Sequence, residues 1–115
     1  MGAAFYARQW DSVAAINNGL YQAGKFQHFI SYRQFSSWFS TDSGFTVYRD
    51  TVVKAPYAYN ATKKSYATFD DSISIKHKTR YALEKGLGGI MFWELTLDKQ
   101  QGGLLDVIDE TIKGQ

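Results

Sequence analysis

The stretch GGIMFWEL ends an apolar run with a large indole and a carboxylate, Trp93 and Glu94. Near the start of the chain, Tyr6 and Arg8 close a second apolar run and share one face, because they are two residues apart in a predicted strand. An indole stacks on flat ring faces, whereas a phenol and a guanidinium form hydrogen bonds. These side chains therefore fit a polar, ring-shaped, uncharged ligand such as a carbohydrate. The alternative is that the aromatic residues only pack in the core.

Two predicted strands position these residues. Ala3 to Arg8 and Leu87 to Trp93 are nearly continuous apolar runs, which is typical of parallel strands covered on both faces. A helix is predicted between them, because apolar residues recur with helical spacing behind the capping candidates Asp70 and Asp71. A last helix follows Gly102-Gly103. Together these elements make a βαβα unit.

The segment between the first strand and the first helix is rich in turns and short strands. Phe45 to Asp50 alternates apolar and polar residues, and Pro56 opens a predicted hairpin with residues 60–64 as its loop. A short helix is predicted around Ser31 to Phe39. The fold class is therefore α+β, with an antiparallel middle segment.

Composition limits the possible functions. The 115 residues suffice for one core, and 17% of them are aromatic. The net charge is only +2, and the basic cluster at residues 76–80 is too narrow for a nucleic-acid partner. No apolar run approaches the roughly 20 residues of a membrane span, so no membrane partner is expected. The absence of cysteine excludes disulfides, thiol nucleophiles and zinc–thiolate sites.

Several local patterns resemble functional motifs but have ordinary structural interpretations. GLYQAGK, residues 19–25, has phosphate-loop spacing, yet Phe26 replaces the Ser or Thr and no apolar strand precedes it. His28 and His77 lack metal-ligand spacing. The adjacent Asp70 and Asp71 could form an acid–base pair, but carboxylates just before a helix are typical caps. Asn60-Ala61-Thr62 fits the glycosylation sequon.

Several short motifs occur in a characteristic order. AFYAR-W near the start is followed much later by APYAYN, YATFDDSISIKHKTRYALEKGLGGIMFWELTLD and LLDVID. This combination resembles the C-terminal part of family 18 glycoside hydrolases, the chitinases and their relatives. Residues 2–10 and 54–109 carry the resemblance. Ala7 replaces a common glycine, and Phe69 stands where a tyrosine is frequent.

The resemblance implies a TIM barrel interrupted by an antiparallel insertion domain. Residues 1–10 and 70–115 would be the last βαβα portion of the barrel: strand 7, helix 7, strand 8 and helix 8. Residues 11–69 would be the chitinase insertion domain. The chain opens directly in a strand-like run, and we expect it to be a piece of a larger protein.

The resemblance also implies roles for the four candidate substrate-binding residues. The family tryptophan that matches Trp93 forms the floor under the sugar at the scissile bond, and the residues matching Tyr6 and Arg8 line the same cleft. Glu94 and Asp98 match acidic positions that follow the strand. No metal and no cofactor are expected.

The family mechanism is substrate-assisted hydrolysis of β-1,4-linked N-acetylglucosamine polymers such as chitin. Its acid catalyst closes the pattern D-x-x-D-x-D-x-E, which does not occur in these 115 residues. General acid catalysis typically contributes roughly 10² to 10⁴-fold in rate, so we expect the isolated chain to be inactive. The alternative function is a chitinase-like lectin module without hydrolase activity. A third interpretation is a structural domain whose aromatics merely pack.

Three partners are expected. Chitin or a chito-oligosaccharide would be the ligand, and the rest of the parent barrel would supply the neighbouring strands. Strands 7 and 8 alone would have unpaired edges, so the third expected partner is a second copy in a homodimer, with strand exchange or locally rearranged packing as the alternatives.

Overall fold

A computed structural model of the chain describes residues 1–114. The strands are β1 (Gly2–Ala4), β2 (Tyr6–Asp11), β3 (Lys25–Ser31), β4 (Thr46–Arg49), β5 (Pro56–Asn60), β6 (Ser65–Thr68) and β7 (Met91–Trp93). The α-helices are α1 (Phe35–Trp38), α2 (Ser72–Glu84) and α3 (Leu104–Lys113). Short 3₁₀ turns cover Ile16–Gly19, Tyr32–Gln34, Thr41–Ser43 and Leu95–Leu97. Within the described residues, no helix is both long and apolar enough to cross a bilayer.

The strands form two sheets. Five of them make an antiparallel sheet in the order β3-β2-β6-β5-β4. The remaining two, β1 and β7, pair in parallel with Gly2 opposite Met91 and Ala4 opposite Trp93. The α+β class and the antiparallel middle segment are therefore confirmed.

Each sheet has its own apolar core. One face of the antiparallel sheet packs under α1 through Ala7, Ile30, Phe45, Ala58, Ala67 and Phe69. The parallel pair packs against α2 and α3 through Ala3, Phe5, Ile75, Leu104 and Ile108. Burying a side chain such as Phe5 contributes about 1.5–3 kcal/mol. Leu104 and Ile108 are four residues apart, so they fall on the same face of α3.

The predicted strand from Ala3 to Arg8 is instead two strands in two sheets. At Phe5 the N–H donates to the Trp93 carbonyl (2.9 Å), whereas the Phe5 carbonyl accepts from the Tyr32 N–H (3.0 Å). Phe5 thus ends the pairing with β7 and begins the antiparallel sheet. The prediction of one strand was wrong because an apolar run does not show where its hydrogen-bonding partner changes. The predicted strand at residues 87–93 is likewise shorter and covers only β7.

The helices follow their sequence signals closely. Asp71 caps α2 in a reciprocal box: its carboxylate accepts from the Ser74 N–H (2.9 Å), and the Ser74 hydroxyl accepts from the Asp71 N–H (2.9 Å). The α3 helix directly follows Gly102-Gly103, as predicted, and covers Leu104–Lys113. By contrast, β3 was missed. Its side chains are exposed up to Phe29, so its sequence shows no alternating burial.

The buried Asp98 caps α3 from outside the helix. Its carboxylate accepts from the N–H groups of Lys99 (2.9 Å), Leu104 (2.8 Å) and Leu105 (2.9 Å). A Cβ atom at Gly103 would lie 2.2 Å from Asp98 Oδ1. The carboxylate therefore occupies the space of a side chain at position 103, and glycine is required there.

Gly103→Ala is expected to lower the free energy of unfolding by about 1–3 kcal/mol, because the new methyl group displaces the Asp98 carboxylate. Urea denaturation followed by circular dichroism measures this loss. Gly89→Ala is the matched control, because a Cβ at Gly89 meets nothing within 4 Å. Equal stability of the two variants would contradict the capping role of Asp98.

Candidate functional site

Tyr6 and Arg8 project from the same face of β2 into one open cavity of about 710 Å³. The opposite wall comes from α2, through His77, Lys78 and Tyr81. Hydrogen-bond donors and acceptors from both walls thus face the space beside the two predicted residues. The cavity is large enough for a small polar ligand.

Aromatic rings hold the Arg8 side chain. Its guanidinium carbon lies 5.2 Å from the ring centroid of Trp10, 4.9 Å from that of Phe26 and 5.5 Å from that of Phe29. Tyr6 packs edge-on against Phe29, with 5.5 Å between centroids. Each cation–π contact at an exposed site is worth about 0.5–1 kcal/mol. The rings restrict the guanidinium while leaving the N–H groups on its edge available to a ligand.

Trp93 and Glu94 lie at the end of β7, outside the lining of this cavity. The Trp93 side chain is 62% exposed. Its backbone is tied to the first strand, since Ala4 is its register partner and its carbonyl accepts from the Phe5 N–H. Trp93 therefore lies beside Ala4, two residues before Tyr6, but Trp93 and Tyr6 belong to different sheets. Of these residues, only Tyr6 and Arg8 line the cavity.

A hydrogen-bonded chain links Glu94 to the antiparallel part of the molecule. The Glu94 carboxylate accepts from the Thr96 hydroxyl, and the Thr96 carbonyl accepts from the Arg33 guanidinium. Lys99 adds a second link, with its ammonium 5.4 Å from the Tyr32 ring centroid. The turn after β7 is thus fastened to the Tyr32–Gln34 turn.

The family model for "Glycosyl hydrolases family 18" matches residues 1–98. The chain belongs to family 18 of the glycosyl hydrolases. Chitinase A1 of Niallia circulans is 36% identical to it over 113 residues, which cover 88% of this chain and 16% of that protein.

Solved family 18 structures also resemble this chain. Chitinase ChiA74 from Bacillus thuringiensis superposes with a TM-score of 0.90 at 31% identity, covering 98% of this chain and 22% of that one. A family 18 N-acetylglucosaminidase from Paenibacillus barengoltzii gives a TM-score of 0.82 at 32% identity, covering 96% of this chain and 32% of that one. This family 18 chain therefore spans a third or less of the length of these relatives.

The other motifs of the family 18 chain have structural roles. Asn60 is buried, its amide nitrogen donates to the Ser43 carbonyl (3.1 Å), and its amide oxygen accepts from the Lys63 N–H (3.0 Å). Both ends of this amide are used, so the folded chain cannot present Asn60 for glycosylation. The phosphate-loop match ends at Lys25, which begins strand β3 rather than a helix.

The structure also gives His28 a packing partner and partly buries Tyr32. His28 packs edge-on against Trp38, with 5.2 Å between the ring centroids. His77 is distant from it in sequence and lies on α2. Within residues 1–114, no group of three His, Asp or Glu side chains is arranged to hold a metal. Burial, and then the negative charges of Asp98 and Asp71, raise the pKa of Tyr32. Its phenol therefore stays neutral at physiological pH.

Sequence reasoning missed Arg33 and Lys78 as residues that shape this region. Both act on backbone carbonyl oxygens more than 60 positions away, Arg33 at Thr96 and Lys78 at Gly2 (3.0 Å). No local pattern carries such a signal. Only the folded chain brings these residues together.

Arg33→Gln is expected to loosen the turn after β7, because the Thr96 carbonyl loses its charged donor. Loss of about 1 kcal/mol would speed amide hydrogen exchange at Leu97, whose N–H donates to the Glu94 carbonyl, by about fivefold. Arg80→Gln, at an exposed position on α2, is the control and should leave this rate unchanged. An unchanged rate in Arg33→Gln would show that the link does not hold the turn.

Proposed function

We propose that this chain is the C-terminal part of a chitinase-like glycoside hydrolase that acts on chitin by substrate-assisted hydrolysis. The observation that carries the proposal is the parallel pairing of β1 with β7, which brings the segment leading to Tyr6 and Arg8 beside exposed Trp93. The names of the family 18 relatives, several of them chitinases, support the same substrate.

The proposal assigns residues 1–10 and 70–115 to the last βαβα portion of a TIM barrel and residues 11–69 to an insertion domain. The parallel β1–β7 pair with α2 between its strands in sequence supports the first assignment. The antiparallel sheet supports the second. Strand β2 is shared, because residues 6–11 pair with β3 and β6 of that sheet.

In this proposal Trp93 stacks on a pyranose ring, and Tyr6, Arg8 and Glu94 form hydrogen bonds to its substituents. The exposed indole offers a free face, and the ring-clamped guanidinium offers preoriented donors. Such stacking is worth about 1 kcal/mol beyond buried area. One stack and a few exposed hydrogen bonds correspond to a Kd of about 1 mM or weaker.

Catalysis needs a group beyond these four residues. In substrate-assisted hydrolysis the 2-acetamido oxygen attacks the anomeric carbon while an acid protonates the leaving oxygen. The acid pattern D-x-x-D-x-D-x-E is not in this sequence, and Asp70, Asp71 and Asp98 are occupied as hydrogen-bond acceptors. We propose that the isolated chain orients sugar without hydrolysing it.

A carbohydrate-binding, chitinase-like lectin module is the second candidate. The sugar-compatible groups that line the cavity fit such a module as well as they fit a hydrolase. Both candidates require the same sugar contacts. Hydrolysis by the full parent protein, measured on a chromogenic chito-oligosaccharide, separates them.

Titration with chitotetraose, followed by amide chemical shifts, tests the binding that both candidates need. Shifts at residues 6, 8 and 93 with a Kd of about 1 mM are expected, and Trp93→Ala should weaken binding by about tenfold. Tyr21→Ala, which removes an 86% exposed ring elsewhere, should bind as the wild type does. No movement at these amides at millimolar sugar favours a purely structural domain.

We also propose that the isolated chain forms a homodimer, because β7 lies at the edge of a two-stranded sheet and its Met91 side chain is 65% exposed. Light scattering should give twice the monomer mass. Met91→Lys should shift the chain to monomer, whereas Val52→Lys, at another exposed apolar residue that is distant in sequence, should not. A wild-type monomer that persists at high concentration would contradict this partner.

A further inference from the structure

The chain passes between its two sheets at two places. It leaves the parallel pair at Phe5 and returns from β6 through Phe69 and Asp70 to α2. One hydrogen bond joins the two crossings: the Ala4 N–H donates to Asp70 Oδ2 at 3.0 Å, across 66 positions of sequence. The two crossings are thus fastened to each other beside Tyr6.

Asp70 is buried, and both of its carboxylate oxygens accept hydrogen bonds. Its side chain is 6% exposed, and Oδ2 also accepts from Lys78 Nζ at 2.6 Å, while Oδ1 accepts from the Ser74 hydroxyl at 2.8 Å. A buried carboxylate is tolerated only when charge pairing and hydrogen bonds offset its desolvation. Asp71, not Asp70, supplies the cap of α2, so capping does not explain Asp70.

The Asp70–Lys78 pair takes the place of a strand along one edge of β1. The Met1 carbonyl and the Phe5 N–H bond to β7, so the alternate residues Gly2 and Ala4 face the opposite edge. There Lys78 Nζ donates to the Gly2 carbonyl (3.0 Å), and Asp70 accepts from Ala4. One ion pair thus binds both a donor and an acceptor of the β1 backbone.

We propose that Asp70, acting with Lys78, is a positioning residue that sets the angle between the sheet carrying Tyr6 and Arg8 and the strand carrying Trp93. Ala4 is the register partner of Trp93 and lies two residues before Tyr6. Fixing Ala4 therefore fixes the offset between the two halves of the sugar site. The sugar-binding consequence rests on the proposed function, whereas the geometric claim does not.

Other contacts also cross between the sheets and define what Asp70 adds. Arg49 of β4 pairs with Asp71, and Arg33 donates to the Thr96 carbonyl. Neither of these contacts touches β1. Without Asp70 the Ala4 N–H would lose its hydrogen-bond acceptor, and the backbone at Phe5 could act as a hinge between the two sheets.

Electron–electron double resonance between two spin labels tests the geometric claim. The chain has no cysteine, so Thr62→Cys in the β5–β6 loop and Glu110→Cys on α3 provide exposed and unique label sites. In the doubly labelled full chain, measured at a protein concentration where it is monomeric, Asp70→Asn should broaden the distance distribution by about twofold. Lys78→Met should broaden it less, because Asp70 keeps its bond to Ala4.

Ala82→Gly is the control, since it weakens α2 at a buried position that does not belong to the core cluster around Ala3 and Phe5. It should lower stability and leave the distribution unchanged. A wild-type distribution in folded Asp70→Asn overturns the proposal. If Asp70→Asn does not fold, an unchanged distribution in Lys78→Met overturns it instead.

Chitotetraose titration of the same variants separates this inference from the proposed function. If the wild type binds, Asp70→Asn should weaken binding by about threefold or more, with Tyr6, Arg8 and Trp93 all intact. If the wild type does not bind, the proposed function fails, and the distance distributions still decide the role of Asp70.

Discussion

The candidate site depends on two successive backbone N–H groups that point in opposite directions. Ala4 donates to the buried Asp70 carboxylate, and Phe5 donates to the Trp93 carbonyl. This pair of bonds fixes the point at which the chain leaves a parallel pair and enters an antiparallel sheet. Tyr6 and Arg8 follow immediately, so their direction relative to Trp93 is determined there. The large hydrophobic contribution of buried Phe5 holds the same junction from inside.

Electrostatics and packing support this junction from both sides. The Asp70–Lys78 ion pair covers the outer edge of β1, and the Arg33 link fastens the turn that carries Glu94. Because Asp70 is buried, it stabilises the junction by pairing polar groups that would otherwise lack a partner, rather than by net charge attraction. Aromatic rings then restrict Arg8 on the outer sheet face. The Arg8 side chain and the backbone at the junction are thereby restricted.

Much of the fold could be predicted from local sequence patterns. Helices α2 and α3, the hairpin opened by Pro56 and the strand near Val47 follow from periodicity, caps and turn residues, which act over a few positions. Strand β3 could not be predicted, because its side chains are largely exposed and show no burial pattern. The break at Phe5 could not be predicted either, since it depends on partners more than 25 positions away.

The candidate site was predictable in residue type but not in arrangement. The sequence predicted that Trp93 ends a strand and that Tyr6 and Arg8 share one face. The separation of Trp93 from the cavity that Tyr6 and Arg8 line was not predictable, because it depends on the change of sheet at Phe5. Long-range hydrogen bonds of Asp70, Lys78 and Arg33 likewise leave no local signal.

In the proposed function, one saccharide contacts both the Tyr6–Arg8 face and the Trp93 end of β7. A chito-oligosaccharide carrying a nitroxide at its reducing end measures this directly through paramagnetic broadening of amide signals. Broadening is expected at the amides of Tyr6 and Trp93 with the same concentration dependence. Broadening at only one of the two, or equal broadening across the whole surface, would contradict a shared site.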